Sequence, residues 1–313
     1  MEEFLWVEKY RPKTVADCIL PDRIKSRFTE YVTRKEVPNL LLTGSAGVGK
    51  TTIAKAICNE IGLNYMHINA SSENGIDTLR TKIYNYATTV SLVGGRKVII
   101  LDEADGLTAQ AQEGLRAAIE SFSSNCTFIL TCNFKSKLIE PIQSRTVLVD
   151  FSLRSEEKPK MAAQFFKRLG DILTKEKVEY DKTVLVKIVE KYFPDFRKTL
   201  GQLQDFATNG RIDAGTLAQV TDIKNVQELV SYLKVKNFKD MRKWVVLNSD
   251  VEPSQIFRKV YDSLTSYMKP ETIPQAVMIL AKYQYQSAFV ADQEINTAAA
   301  LTELMVDCEF LEH

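Results

Sequence analysis

A chain of 313 residues, 45% hydrophobic and 26% charged, has the make-up of an ordinary globular protein and is long enough for two or three domains with real cores. Its 41 basic and 40 acidic residues leave a net charge of +1, which excludes a global attraction to nucleic acid; any DNA contact must use local clusters, helix N-termini or several copies together. No apolar stretch has the length of a bilayer span and the opening "MEEFLWVEKYRP" lacks a signal-peptide layout, so the expectation is a cytoplasmic protein with no membrane partner.

In chain order, "NLLLT" reads as a buried strand, followed at once by "GSAGVGKT" from Gly44 to Thr51 and the amphipathic "GKTTIAKAICNEI". "YMHINA", "KVIILD", "TFILTCN" and "TVLVDF" are further apolar strand candidates, with the helical "AQEGLRAAIESF" between "KVIILD" and "TFILTCN". Strand and helix in alternation predict an α/β domain, a parallel sheet covered on both faces, over residues 1–150. After Phe151 the strands are expected to stop. "SEEKPKMAAQFFKRLGDILTKEK", "KTVLVKIVEKY" and "DFRKTLGQLQDFA" form a small helical domain over 151–222, and a second helical domain fills 223–313. The breaks fall in the polar "DFSLRSEEKP" and "AQVTDIKN". Five scattered cysteines without C-x-x-C spacing argue against a zinc site and for reduced, buried thiols.

The glycine-rich stretch fits G-x-x-x-x-G-K-[ST] and lies between a strand and a helix, the context a phosphate-binding loop requires. Its backbone N–H groups would curl round a phosphate at the positive end of the next helix, with Lys50 on the β/γ-phosphates and Thr51 on Mg²⁺. "VIILDEAD" puts Asp102 at the carboxyl end of a strand, where it would hold Mg²⁺, and Glu103 beside it to polarise the attacking water. Asn133, ending "TFILTCN", is an amide suited to orienting that water. Arg145 in "QSR" is poorly placed for its own phosphate and better placed to reach a neighbouring subunit's. By local sequence alone, a surface arginine paired with a carboxylate is the favoured reading.

With these landmarks in this order, the sequence resembles the clamp-loader branch of the AAA+ ATPases. The residues that carry it are "WVEKYRP", the phosphate loop, "DEAD", "AQEGLRAAIES", "TCN", "QSRT" and "FPDFRKTLG". "FPDFRKT" and "SSNC" are most similar to the T-even-phage type. The resemblance implies an AAA+ domain, a helical lid domain and a C-terminal helical collar that oligomerises. It implies that Glu8, Lys9, Tyr10 and Ile19 cover the adenine and ribose of ATP, and that Gly47, Val48, Gly49, Lys50, Thr51 and Thr52 hold its phosphates. Asn133 matches sensor 1, Arg197 the sensor 2 arginine of the lid, and Arg145 the arginine finger, although the usual Ser-Arg-Cys is Ser144-Arg145-Thr146 here. Gln112 lies where related subunits couple the ATP site to DNA and to the next subunit.

The implied activity is ATP-driven opening of a ring-shaped sliding clamp and its closure on primer–template DNA. The implied assembly is a hetero-pentamer of four such chains and one different small subunit. DNA contact is expected at helix N-termini, with Ser71 or Ser72 as an N-cap followed by Arg80, and Thr108 followed by Arg116. Clamp contact is expected along "KIYNYATTVSLVGGRK", through Tyr84, Val90, Leu92 and Val93. Two other readings compete. A DEAD-box-type helicase needs a second strand–helix domain, and a non-hydrolysing scaffold subunit tends to have a damaged phosphate loop.

Overall fold

The computed structural model describes residues 4–72, 76–89, 96–208, 210–213, 226–249 and 251–311. Val90, Leu92 and Val93, and the expected boundary near residue 222, lie outside the described residues. The chain divides into two compact units, Met1–Leu217 and Ala218–His313.

The first unit is built on a five-stranded parallel sheet. Its strands are β1 (Leu40–Thr43), β2 (Tyr65–Asn69), β3 (Lys97–Asp102), β4 (Cys126–Cys132) and β5 (Val147–Asp150), in the order β2-β3-β4-β1-β5. All five correspond to the apolar runs expected from the sequence. Successive side chains point to opposite faces, so each central strand feeds two cores. Leu40, Leu42, Val98, Ile100 and Ile129 pack on one face with Ile24 and Phe28 of helix α2 (Asp22–Arg34) and Ile53 and Ile57 of α3 (Lys50–Ile61), which follow the short N-terminal helix α1 (Trp6–Lys9). Leu41, Ile99, Leu101, Phe128 and Leu130 pack on the other with Ile83 of α4 (Ile76–Thr88) and Leu115 and Ile119 of α5 (Ala109–Ser121).

The short helix α6 (Glu140–Gln143) leads into β5, and a helical module follows: α7 (Lys158–Lys175), α8 (Lys182–Tyr192) and α9 (Phe196–Ala207). The expectation that strands stop after Phe151 needs correcting. Glu179–Tyr180 and Arg211–Ile212 pair as a short parallel ribbon, β6 and β7, that ties the module's middle to its end. Two-residue strands are too short to show any alternation.

The second unit is helical among its described residues, with α10 (Val226–Lys234), α11 (Phe238–Leu247), α12 (Pro253–Tyr267), α13 (Ile273–Gln286) and α14 (Gln293–Asp307). Trp244, Phe257, Leu264, Leu301 and Leu304 form its core. Met278, Tyr285, Phe289, Ile295 and Val306 stay exposed on the same helices or just beyond them. All five cysteines are free and buried, as expected, and burial pushes the Cys18 and Cys58 thiols up to about 12.

Candidate active site

The sheet brings three strand ends together. Thr43 of β1 pairs with Cys132 of β4, and β3 lies on the other side of β4, so the segments leaving β1, β3 and β4 emerge side by side. This is the carboxyl edge, where open parallel sheets hold their ligands. The phosphate loop leaves β1 and opens α3, with Gly49 as N-cap in the left-handed region at φ 94°.

Lys50 is buried. Its Nζ donates to Gly44 O at 2.7 Å, Ser45 O at 2.8 Å and Asn133 Oδ1 at 2.9 Å. Burial lowers its pKa, with Asp102 and Asp105 among the groups that oppose the shift. Asp102 Oδ1 accepts from Thr51 Oγ1 at 2.6 Å and from Thr131 Oγ1 at 2.5 Å, and His67 Nε2 lies 3.5 Å from Oδ2. Burial alone would raise the Asp102 pKa, but hydrogen bonds from His67, Thr131 and Thr51 outweigh it and hold the carboxyl well below the usual range.

Glu103 follows Asp102 in a left-handed conformation at φ 56°, which costs a residue with a side chain about 1–3 kcal/mol. Its N–H donates to Thr131 Oγ1 at 3.0 Å, so one threonine fixes both the Asp102 carboxylate and the Glu103 backbone. The N–H groups of Asn133 and Phe134 both donate to Asp105 Oδ2 at 3.1 Å, which fixes the turn that presents the Asn133 amide.

These groups line one end of a cleft of about 1070 Å³, open solvent included. Gly47, Gly49, Lys50, Thr51, Thr52, Asp102, Glu103, Asn133 and Arg197 are in its wall, as are Tyr10 and Ile19 at the other end. Glu8, Lys9 and Val48 are not. The Glu8 carboxylate accepts from Arg11, Lys9 pairs with Glu176 at 2.7 Å, and Val48 turns into the core. The helical module closes the remaining side. Phe196 N–H donates to Gly47 O at 3.1 Å, and a Cβ on Gly47 would sit 1.8 Å from Asp195 Oδ1. That close approach, with φ +74°, is why the second glycine of the loop admits no side chain. Asp195 caps α9 through Lys198 N–H at 2.8 Å, and Arg197 projects from the capped turn.

Arg145 lies outside this cleft. Its guanidinium pairs with Glu120 at the end of α5 and donates to Pro141 O at 2.9 Å. Glu120 also faces Arg116 at 3.5 Å, and Arg116 pairs with Glu113 at 2.9 Å. Gln112 is buried and spends its amide on three backbone groups: Nε2 donates to Leu107 O at 3.2 Å and Lys137 O at 3.0 Å, and Oε1 accepts from Ile139 N–H at 2.8 Å. It thereby joins α5 to the segment that runs from Asn133 towards Arg145.

Thr108 caps α5, accepting from Ala111 N–H at 3.2 Å. Between Ser72 and α4, residues 73–75 lie outside the described residues, and with them the expected N-cap. The Ser71 and Ser72 hydroxyls bond back to Asn69 in the turn after β2, because an Asn at a strand end offers the nearest acceptors. Arg80 is exposed on α4, and Tyr84, 57% exposed, meets Phe122 edge-on at 5.9 Å.

Two family models match this chain. One describes an ATPase family associated with various cellular activities, over residues 40–153, and the other the AAA+ ATPase lid domain of the sliding-clamp-loader large subunit, over 157–218. The sliding-clamp-loader large subunit of Enterobacteria phage T4 is 33% identical over 99% of this chain and 98% of its own. The chain belongs to the clamp-loader family of AAA+ ATPases.

Other relatives of this clamp-loader chain agree. The large subunit of Escherichia phage RB69 is 39% identical over 77% of each chain, and the replication factor C small subunit of Saccharolobus solfataricus is 34% identical over 98% of this chain and 96% of its own. The RuvB Holliday junction branch migration motor of Thermotoga maritima superimposes with a TM-score of 0.53 over 72% of this chain and 78% of its own, at 20% identity, which speaks to the fold alone. The family binds nucleotide, and the activity of this chain is ATP hydrolysis. Among the described residues there is no second strand–helix domain after Phe151, so the helicase reading loses its structural requirement.

The sequence reading did not single out Thr131, Asp105 or His67 around the phosphate end. Thr131 and Asp105 sit inside the motifs "TCN" and "DEAD", where position was the available signal. His67 had none, since it meets Asp102 only across the β2–β3 pairing.

Proposed function

We propose that this ATPase opens a ring-shaped DNA-polymerase clamp when it binds ATP, and releases it closed on primer–template DNA when that DNA triggers hydrolysis. The observation that carries the reading is the split between a cleft holding Lys50, Thr51, Asp102, Glu103 and Asn133 and an Arg145 that lies outside it. One chain thus offers most of a catalytic centre and one arginine for a neighbour's centre.

In this reading Lys50 exchanges the carbonyls of Gly44 and Ser45 for the β/γ-phosphates and keeps Asn133 beside the γ-phosphate. Glu103 orients the attacking water and takes its proton. Arg197 reaches the γ-phosphate from the lid, and Arg145 of the adjoining subunit neutralises charge that builds on the transferring group. Thr51 and Asp102 form an oxygen pair that fits Mg²⁺, an ion held by one or two carboxylates and the nucleotide's phosphates, which supplies charge neutralisation when bound. Among the described residues no group of three or more His, Cys, Asp and Glu side chains forms a self-sufficient metal site, which suits a cation that arrives with its nucleotide.

The assembly proposed is four copies and one different small subunit, joined through the helical collar of residues 223–313, with residues 1–150 as the AAA+ domain and 151–222 as the lid. Ser72, Arg80, Thr108 and Arg116 are the proposed DNA contacts. Tyr84, Val90, Leu92 and Val93 are the proposed clamp contacts, and Gln112 transmits between DNA and the finger. No helix among the described residues is long and apolar enough to cross a membrane, and the site of action proposed is the cytoplasm.

The test is ATPase activity of the chain assembled with its small subunit, measured with and without clamp and primer–template DNA. Stimulation that needs both supports the reading. Activity indifferent to both, or ATP-dependent strand unwinding, overturns it.

A further inference from the structure

Another wall of the cleft is built on one face of a lid helix. Phe165, Arg168 and Ile172 of α7 line it, and Glu176, just past the helix, continues the row; spacings of three and four place all four on one side. That side grips the N-terminal segment. Arg168 Nη1 donates to Asp17 O at 3.0 Å and Nη2 to Tyr10 O at 3.0 Å, while Glu176 accepts from the Tyr10 hydroxyl and pairs with Lys9 at 2.7 Å.

The stretch between those two carbonyls has no regular secondary structure, and it supplies Tyr10, Arg11, Pro12 and Asp17 to the cleft wall. Its far end continues into Cys18, Ile19 and Leu20, also in the wall. A flexible wall cannot discriminate between purines unless something fixes it, since selectivity rests on a few polar groups held in place. A single guanidinium bonded to both ends of the stretch does so with a planar fork that an ammonium group does not reproduce.

We propose that Arg168 is a positioning residue for base selection: it fixes the wall against which the nucleotide base lies and so favours adenine over guanine. Two consequences follow from the hydrogen bonds. Removing Arg168 loosens the wall, which weakens nucleotide binding. It also frees the carbonyls of Tyr10 and Asp17 as acceptors, and guanine carries the N1–H and 2-amino donors that would use them. Discrimination should therefore fall further than affinity alone.

The inference rests on this cleft being the ATP site, not on the loading of clamps. The experiment is steady-state hydrolysis of ATP and GTP by full-length wild type, Arg168→Ala and Arg168→Lys, assembled as the complex. For Arg168→Ala, KM for ATP should rise on the order of tenfold, as for loss of a charged hydrogen-bonding group. Turnover at saturating ATP should stay within about twofold, and the GTP-to-ATP ratio of kcat/KM should increase severalfold. Arg168→Lys should restore the thermal midpoint but not the base ratio. An unchanged KM and ratio in Arg168→Ala overturns the inference, as does a KM that rises equally for both nucleotides, or a wild type indifferent to the base. If Arg168→Ala fails to fold, the ratio in Arg168→Lys decides, and a wild-type ratio there overturns it. Loss of clamp stimulation in the wild type would count against clamp loading and leave this inference standing.

Discussion

The phosphate end of the cleft and the surface around Arg145 carry charges of the same kinds in opposite settings. In the cleft, Lys50 and Thr131 are 8% and 1% exposed, and their hydrogen-bond partners are backbone and side-chain groups fixed by the sheet and the loops that leave it. Around Arg145, the side chains of Arg145, Glu120 and Arg116 are 36%, 42% and 37% exposed, and a single carboxylate serves both arginines. Buried polar groups must be satisfied in place, so the cleft is built rigid and complete on the chain's own side. Exposed ion pairs are worth little to folding, so Arg145 can leave Glu120 at small cost. In the proposed reading, the groups that act within the chain are preorganised and the arginine offered to a neighbour is detachable.

This contrast can be broken first at Arg145. Arg145→Ala should leave ATP binding by the isolated chain intact and lower turnover of the assembled complex on the order of a thousandfold, the scale of a missing arginine finger. Mixed assemblies of Arg145→Ala with Glu103→Gln chains should recover some activity, because certain interfaces regain both groups. No recovery at any ratio, together with lost binding in the isolated variant, would place Arg145 at work in its own chain.

Glu103→Gln alone should bind ATP normally and hydrolyse it roughly a hundredfold more slowly, as for removal of a general base. Near-normal turnover in a single-turnover assay would remove Glu103 from the centre.

Stability sharpens the contrast from the other side. Thr131→Val keeps the shape of the side chain but leaves Asp102 and the Glu103 N–H without a shared partner, and should cost about 1–3 kcal/mol in urea unfolding. Glu120→Ala, on the exposed surface, should cost no more than about 1 kcal/mol. Equal losses for the two would mean that the Arg145 surface is as integral to the fold as the cleft. Thr108→Ala, which removes one helix cap, should destabilise by about 1 kcal/mol, at or just above the limit set for Glu120→Ala.

The sequence alone determined the parallel sheet, the glycine-rich turn from β1 into α3, the acidic strand end and the order of the landmarks. Each of these is local. A buried parallel strand is a continuous apolar run such as "KVIILD", and a phosphate loop is a fixed spacing of glycines before Lys50 and Thr51. The sequence also carried the helical character of the last third, because amphipathic helices repeat their pattern over several turns.

What only the tertiary structure decided is which distant groups meet. The Phe196 N–H on Gly47, Gln112 bridging to Lys137 and Ile139, Glu120 holding Arg145, and Arg168 spanning Tyr10 and Asp17 all join segments that share no local pattern. The β6–β7 ribbon escaped for the same reason. Hydrogen bonds across a fold depend on distances that loops and packing set, and those are not written in the spacing of any one stretch.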